Sequence, residues 1–460
     1  MNEDGVMVAA RLDRLPGSRA IWILVGLLSF GAFFEIYDIA LTAVISPGLV
    51  KAGVFHQGPK DLLGLSDQAS FVAATFLGLW IGTLAFSSIA DRLGRRLIFT
   101  FSLLWYALAT AIMALQSTAA GVDIWRLIAG VGVGMQIVTI DCYLAEIVPR
   151  AVRGRAFAVS TFLQYLAVPI AAVLALLVVP HGFLGIAGWR WLGWFPALGA
   201  LLVWWVQRAL PESPRWLADH GELEKCEIVL RTIEARVARD TGRALPPPEP
   251  LNVPSSRRGL RPSLWRAPYD RRVLLMSLFQ VLQSIGYFGF ANWVPTLLEA
   301  RGINITRSLA YTAAIGLSYP IAPLVVSVFA DRTERKGQIV IGALGAAACG
   351  LLFARQSAAA GWIAFGVLLS ASNILMSIGF HAYQSELFPT PVRARAVGLV
   401  YSFSRLSTIF SGYLIAFLLR TAGVSGVFIA IAVMLAFAAL IIGVFGPRTT
   451  GLALEKISPG

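Results

Sequence analysis

Apolar runs of roughly twenty residues recur from one end of this chain to the other, and that pattern leaves few folds open to it. A run of this length crosses about 30 Å of hydrocarbon as an α-helix. Inside hydrocarbon every backbone N–H and C=O must bond within its own element, which favours helices over open sheets. Twelve such helices are predicted, at roughly 20–47, 69–90, 97–117, 122–148, 153–180, 189–210, 272–299, 306–330, 338–357, 361–388, 395–419 and 423–446. Composition agrees, since 57% of the 460 residues are hydrophobic and 14% are charged, against about 25% charged in a soluble domain. The expected class is an all-α membrane protein.

The net charge of +13 invites a nucleic-acid reading, but its distribution excludes one. Lys and Arg gather in alternate loops, from Arg11 to Arg19, Arg92 to Arg96, Arg150 to Arg155, Arg208 to Arg272, Arg332 to Lys336 and Arg393 to Arg395. The other loops carry mostly single basic residues such as Lys51, Lys60, Arg301 and Arg355. Basic loops stay in the cytoplasm, so both termini and the long central loop are expected there. The N-terminus lacks a basic stretch leading at once into a cleavable apolar run, so the first helix is expected to be a span. Cys142 and Cys349 fall in predicted helices and Cys226 in the central loop, which suggests no disulfide framework.

The punctuation of the first half returns in the second. YLAEIVPRAVRGR (143–155) is echoed about 240 residues later by YQSELFPTPVRARAVG (383–398), and ADRLGRR (90–96) by FADRTERKG (329–337). Two like halves suit two pseudo-symmetric six-helix bundles enclosing one central site. The expected division is 1–210 for the first bundle, 211–271 for a cytoplasmic loop with one to three short interfacial helices, and 272–460 for the second bundle and a short tail.

Ionisable groups inside hydrocarbon are costly and mark functional sites by default. Glu35 and Asp38 lie three residues apart in the first helix, with Arg126 and Asp141 in the fourth. Gly130, Gly132 and Gly134 strip side chains from the fourth helix, so a neighbour can approach closely. Burial raises a carboxyl pKa and a nearby arginine lowers it, so an acid poised between the two can carry a proton. Arg405 is about ten residues into the eleventh helix, near the midplane. Its planar fork suits a carboxylate or phosphate, the other reading being a partner to a buried acid. Gln280, Gln283 and Tyr287 share a narrow arc of the seventh helix, while Gln164, Asn292 and Asn373 are further polar candidates for a cavity wall. His381, alone in the tenth helix, reads as a packing residue. There is no Walker loop, no metal-ligand spacing and no nucleophile motif, so neither an enzyme nor a cofactor other than the proton is expected.

These residues carry a resemblance to the major facilitator superfamily over nearly the whole chain. DRLGRR (91–96) and DRTERK (331–336) resemble its cytoplasmic loop motif. WRLIAGVGVG, YLAEIVPRAVRG, GWRW (188–191), PESPRWL (211–217) and ELFPTPVRA are similar to sugar-porter signatures. FFEIYDIAL in the first helix and SFSRLS in the eleventh resemble niacin, aromatic-acid and phosphate symporters, and the seventh helix departs from the sugar-porter pattern. The resemblance implies an Asp38–Arg126 proton switch; by position alone, Glu35 is an alternative proton carrier, and Asp141 is either a further coupling acid or a buried acid paired with a neighbouring helix. The resemblance implies a sugar-porter-like role for Gln164. It also implies a cytoplasmic ionic latch made by Asp91, Arg95, Arg96, Glu146, Arg153, Asp331, Arg332, Glu386 and Arg393. The function it implies is proton-coupled import of a small organic solute, with a carboxylate favoured by Arg405 and a sugar or polyol as the alternative. Proton-driven efflux and a transport-inactive sensor are further alternatives. Partners are then a small-molecule substrate and the lipid bilayer, in a bacterial inner membrane, with one chain enclosing the pathway as a monomer.

Overall fold

The computed structural model describes residues 3–56, 67–248, 264–330, 333–388 and 390–449. Twelve spans run through it in chain order. Spans 1 to 4 are Arg19–Lys51, Asp67–Leu93, Arg95–Met113 and Ala119–Ile147. Span 5 is Arg150–Tyr165 continued by Ala167–Val178, and span 6 is Gly188–Ala209. Span 7 is Tyr269–Ala291 with a short outer piece, Val294–Glu299, and span 8 is Ile305–Gly316 continued by Ser318–Ala330. Spans 9 and 10 are Arg335–Arg355 and Ala359–Glu386. Spans 11 and 12 form the continuous run Thr390–Phe445, broken only at Gly423, whose φ of 66° lies in the left-handed region. A single residue thus turns the chain where a loop was expected.

The breaks inside spans 5, 7 and 8 have one physical cause. Proline lacks an N–H and its ring crowds the carbonyl four residues back. Pro169, Pro295 and Pro320 each stand four residues after the last residue of a helical piece, Tyr165, Ala291 and Gly316. The breaks of spans 5 and 8 meet: a Cβ on Gly316 would lie 3.3 Å from Pro169 Cα. Side-chain caps hold the starts of other helices, with Ser18, Thr118 and Asn304 accepting from the N–H groups of Ile21, Gly121 and Arg307.

Span 2 lies directly on span 4. A Cβ on Gly78 would come within 2.2 Å of the Leu127 carbonyl oxygen, and one on Gly82 within 2.1 Å of that of Val131. From the other side, Gly130 faces Thr75 O and Gly134 faces Leu79 O, while Gly132 turns to Trp105 and Tyr106 of span 3. The glycines of the fourth helix therefore serve two neighbours, not one.

At the end opposite the termini the two sets of six spans are closed against each other. Thr296 Oγ1 donates to Gln68 Oε1 at 3.0 Å, and Leu309 and Ala313 of span 8 share a buried cluster with Val44, Ile45, Phe71 and Ala171. The end that carries the termini also holds a feature not foreseen, a helix at Glu3–Asp13. It packs Val8 and Leu12 against Leu230, Ile233 and Val237 of Leu223–Thr241, one of two short helices among the described residues of the central connection, the other being Pro214–Asp219. Arg11 pairs with Glu227 at 2.6 Å and with Glu234 at 2.7 Å, fastening the helix down. An amphipathic helix of eleven residues is stable only through such tertiary packing, so no apolar run announced it.

Glu212 does the work of a remote cap. Span 3 begins after Gly94, which offers no side chain, and the Arg95 and Arg96 N–H groups donate instead to Glu212 Oε1 at 3.0 and 3.2 Å. Burial raises the Glu212 carboxyl above its usual range, and its backbone N–H partners pull it back. Glu212→Ala is expected to lower the melting temperature by the equivalent of about 1–2 kcal/mol, with Glu212→Gln costing less, because an amide oxygen still accepts. Equal melting temperatures for the two variants would show that the charge alone matters.

Candidate functional site

The close contact of spans 2 and 4 sets the position of the first charged group. Thr75 is one residue short of a turn before Gly78, and Arg126 is one turn before Gly130. Bringing these backbones together delivers the Arg126 guanidinium to Thr75 Oγ1, to which its Nε donates at 2.9 Å. Its Nη1 meets Asp38 Oδ2 at 2.8 Å, and its Nη2 reaches the Asp38 carbonyl at 2.5 Å and Thr42 Oγ1 at 2.7 Å. Thr110 Oγ1 donates to the remaining Asp38 oxygen at 2.9 Å. Phe71 covers the guanidinium, its ring centre 5.4 Å from the arginine carbon. Both Asp38 and Arg126 are 0% exposed, so the pair is sealed on all sides. Two charges survive such burial only with good geometry and satisfied lone pairs, and both conditions are met.

Beside this pair lies a cavity of about 730 Å³ between the two sets of spans. From Val44, Asn292 and Val294 near the closed end it reaches Phe157, Leu324 and His381 toward the end that carries the termini. Asp38 and Arg126 stand behind its wall, while Glu35, one turn away on span 1, is on it. Arg405 lies on the opposite side, 6% exposed. Its guanidinium stacks over Tyr401 at 5.0 Å and Phe288 at 5.9 Å, and its Nη2 donates to the Tyr401 hydroxyl at 3.2 Å. No carboxylate among the described residues lies within ion-pair distance of it. Among the described residues, the reading of Arg405 as partner to Glu35 or Asp38 thus finds no support, and Asp141 lies outside them.

Of the polar candidates, Gln164, Gln283, Tyr287 and Asn292 line the cavity. Gln164 Nε2 donates to Ser160 Oγ at 3.0 Å, and Gln283 Nε2 donates to Gln280 Oε1 at 2.7 Å and Ser284 Oγ at 3.0 Å. The Asn292 amide nitrogen is buried with no partner among the described residues, a donor in want of an acceptor. Gln280 and Asn373 are buried off the wall, Gln280 holding Gln283 in place from behind.

The wall also contains residues that sequence reasoning passed over. Tyr165 and Tyr319 flank the broken spans 5 and 8, their rings 6.1 Å apart across the boundary between the halves. The only cue was a tyrosine beside each proline break. His381 lines the cavity too, its Nδ1 2.8 Å from the Ser377 carbonyl oxygen. A carbonyl only accepts, so Nδ1 carries a proton.

Among the described residues, ion pairs at the terminus-bearing end fall within each half. Arg95 meets Glu146 at 3.2 Å and Arg153 meets Asp13 at 3.0 Å in the first, and Arg335 meets Glu386 at 3.8 Å in the second. Arg96 contributes its backbone to Glu212. Asp91, Asp141, Asp331, Arg332 and Arg393 lie outside the residues whose side chains are described.

Residues 24–460 match the family described as "Sugar (and other) transporter". The putative metabolite transport protein YyaJ of Bacillus subtilis (strain 168) is 29% identical over 443 residues, covering 96% of this chain and 95% of that one. The niacin transporter NiaP of Acinetobacter baylyi is 26% identical over 455 residues, covering 98% and 99%. In fold, the inward-open form of the xylose transporter XylE from E. coli superposes with a TM-score of 0.76 at 20% identity, over 95% of this chain and 99% of that one. With a family match that spans nearly its whole length, the chain belongs to the sugar (and other) transporter family, multi-pass membrane transporters of the major facilitator fold and not enzymes.

Proposed function

We infer that the protein imports a small organic carboxylate together with a proton, by alternating access across a bacterial inner membrane, with both termini cytoplasmic. The observation that carries this reading is Arg405, a guanidinium on the cavity wall whose aromatic neighbours leave its charge unmatched. A carboxylate supplies charge and fork geometry together. Gln164, Gln283, Tyr287 and Asn292 add hydrogen-bonding groups for the rest of the substrate. Asp38 with Arg126 is the coupling pair, its proton exchanged when rearrangement of spans 1, 2 and 4 opens the seal. The niacin transporter among the relatives agrees with an aromatic or heterocyclic acid. On this reading the cavity, closed at the end opposite the termini, is inward-facing, and the pairs Arg95–Glu146 and Arg335–Glu386 are parts of a latch that re-forms between the halves on outward opening. One chain encloses the cavity, which agrees with a monomer. A sugar or polyol is the second reading, favoured by the amides on the wall and by the xylose transporter in the fold comparison.

The test uses proteoliposomes with an imposed pH gradient and labelled nicotinate-like and benzoate-like acids beside hexoses and pentoses. Gradient-driven uptake of an acid is expected, falling about a hundredfold in Arg405→Ala through loss of a charge-assisted bidentate contact. Sugar uptake that survives Arg405→Ala would move the protein to the second reading.

A further inference from the structure

Tyr401 and Arg405 stand four residues apart on span 11, so one helical turn brings them together without help from any other span. Their contact is a cation over a ring and a hydrogen bond at once. The guanidinium carbon is 5.0 Å from the Tyr401 ring centre, and Nη2 donates to the Tyr401 hydroxyl at 3.2 Å. A phenol can accept and donate together. The bond from Arg405 uses its oxygen as acceptor, while its own O–H meets no acceptor among the described residues. Tyr401 lines the cavity, as Arg405 does. A hydroxyl that accepts from a cation becomes the stronger donor, because hydrogen bonds in a chain polarise one another.

Neighbouring spans hold this turn in place. Phe288 of span 7 has its ring centre 5.9 Å from the guanidinium carbon, and the His381 ring of span 10 lies 6.0 Å from that of Tyr401. Next to Arg405, Ser404 Oγ is 2.5 Å from Ser284 Oγ, to which Gln283 Nε2 donates at 3.0 Å, so span 11 is tied to span 7 at this level. Donors fixed in this way meet an oxyanion without first having to be ordered.

We propose that Tyr401 is the second donor of the anion site, its O–H converging with the Arg405 N–H groups on one substrate carboxylate. This rests on the organic-acid reading and deepens it by adding a substrate-binding residue. Both donors sit on one turn of one helix, so the anion site keeps its shape while the two halves move against each other.

Calorimetric titration of nicotinate and of benzoate into the purified full-length protein is the test. Tyr401→Phe keeps the ring beneath Arg405, so the melting temperature is expected to stay where it is. Affinity for the acid is expected to fall about tenfold, through loss of one hydrogen bond to a charged group. Arg405→Lys separates a direct contact from a positioning one, because it keeps the positive charge and removes the Nη2 that meets the hydroxyl. Adding Tyr401→Phe to Arg405→Lys is expected to weaken binding a further severalfold, since the phenol still reaches the carboxylate. A Tyr401→Phe protein that binds within twofold of wild type overturns the proposal, and so does a double variant no weaker than Arg405→Lys. In either case a large loss in Arg405→Ala leaves the organic-acid reading standing. Binding of neither acid by the wild type removes both. Should the double variant fail to fold, Tyr401→Phe decides alone.

Discussion

Gly82→Ala is expected to cost the protein more than any other single methyl group added where spans 2 and 4 meet. The new Cβ would sit 2.1 Å from the Val131 carbonyl oxygen, and a backbone atom cannot swing aside as a side-chain tip can. Spans 2 and 4 must separate or tilt, and with no hydrophobic effect between helices in lipid, that lost packing has no replacement. Overpacking of a tight core costs about 1–3 kcal/mol, and contact with backbone belongs at the upper end. Separation also draws Thr75 away from Arg126, so transport is lost together with stability. The control is Gly26→Ala in span 1, where a Cβ meets nothing within 4 Å. Removing that helical glycine is expected to leave uptake unchanged and to raise the melting temperature slightly. A Gly82→Ala protein that melts and transports like wild type would mean that spans 2 and 4 have slack between them.

Arg126→Leu is the second large effect. It leaves the Asp38 carboxylate buried without its counter-charge, which typically costs about 3–5 kcal/mol unless the acid takes up a proton. Asp38→Asn leaves the mirror problem, a guanidinium among Thr42, Thr75 and Phe71. Replacing both, as Asp38→Leu with Arg126→Leu, removes both charges, and most of the lost stability is expected to return. Gradient-driven accumulation is not expected to return, in the double variant or in Asp38→Asn. Stability and coupling therefore separate. Melting temperature follows charge balance, while accumulation follows the titratable group. Accumulation against a gradient by the double variant would reduce the pair to a structural brace and direct attention to another acid.

The spans were legible because hydrocarbon imposes length and apolarity on every helix that crosses it. The Asp38–Arg126 pair was legible through the family resemblance, and ionisable groups in apolar runs pointed to both residues. The wall of the cavity was much less so. Gln280 and Gln283 are three residues apart, about 60° around a helix. That small angle puts Gln283 on the cavity and Gln280 behind it, and no sequence pattern resolves it. Tyr165, Tyr319 and His381 escaped because aromatic residues in a membrane helix are ordinarily packing, and their meaning lies in which helix faces which. The Glu3–Asp13 helix escaped because its apolar face answers to the central connection, more than 200 residues away in the chain.

Gly423 joins Arg405 to the surroundings of the protein. Span 12 presents Ile429, Val433, Phe437, Leu440 and Val444 outward, each about half or more exposed and so in contact with acyl chains. With only one residue between spans 11 and 12, there is no slack to absorb a tilt of span 11 before it reaches that greasy face. Any rocking that carries Arg405 from one side to the other must also displace lipid. Acyl-chain length and lateral pressure thereby act on the cycle as an elastic load, and the rate of solute movement becomes a property of the bilayer as well as of the chain.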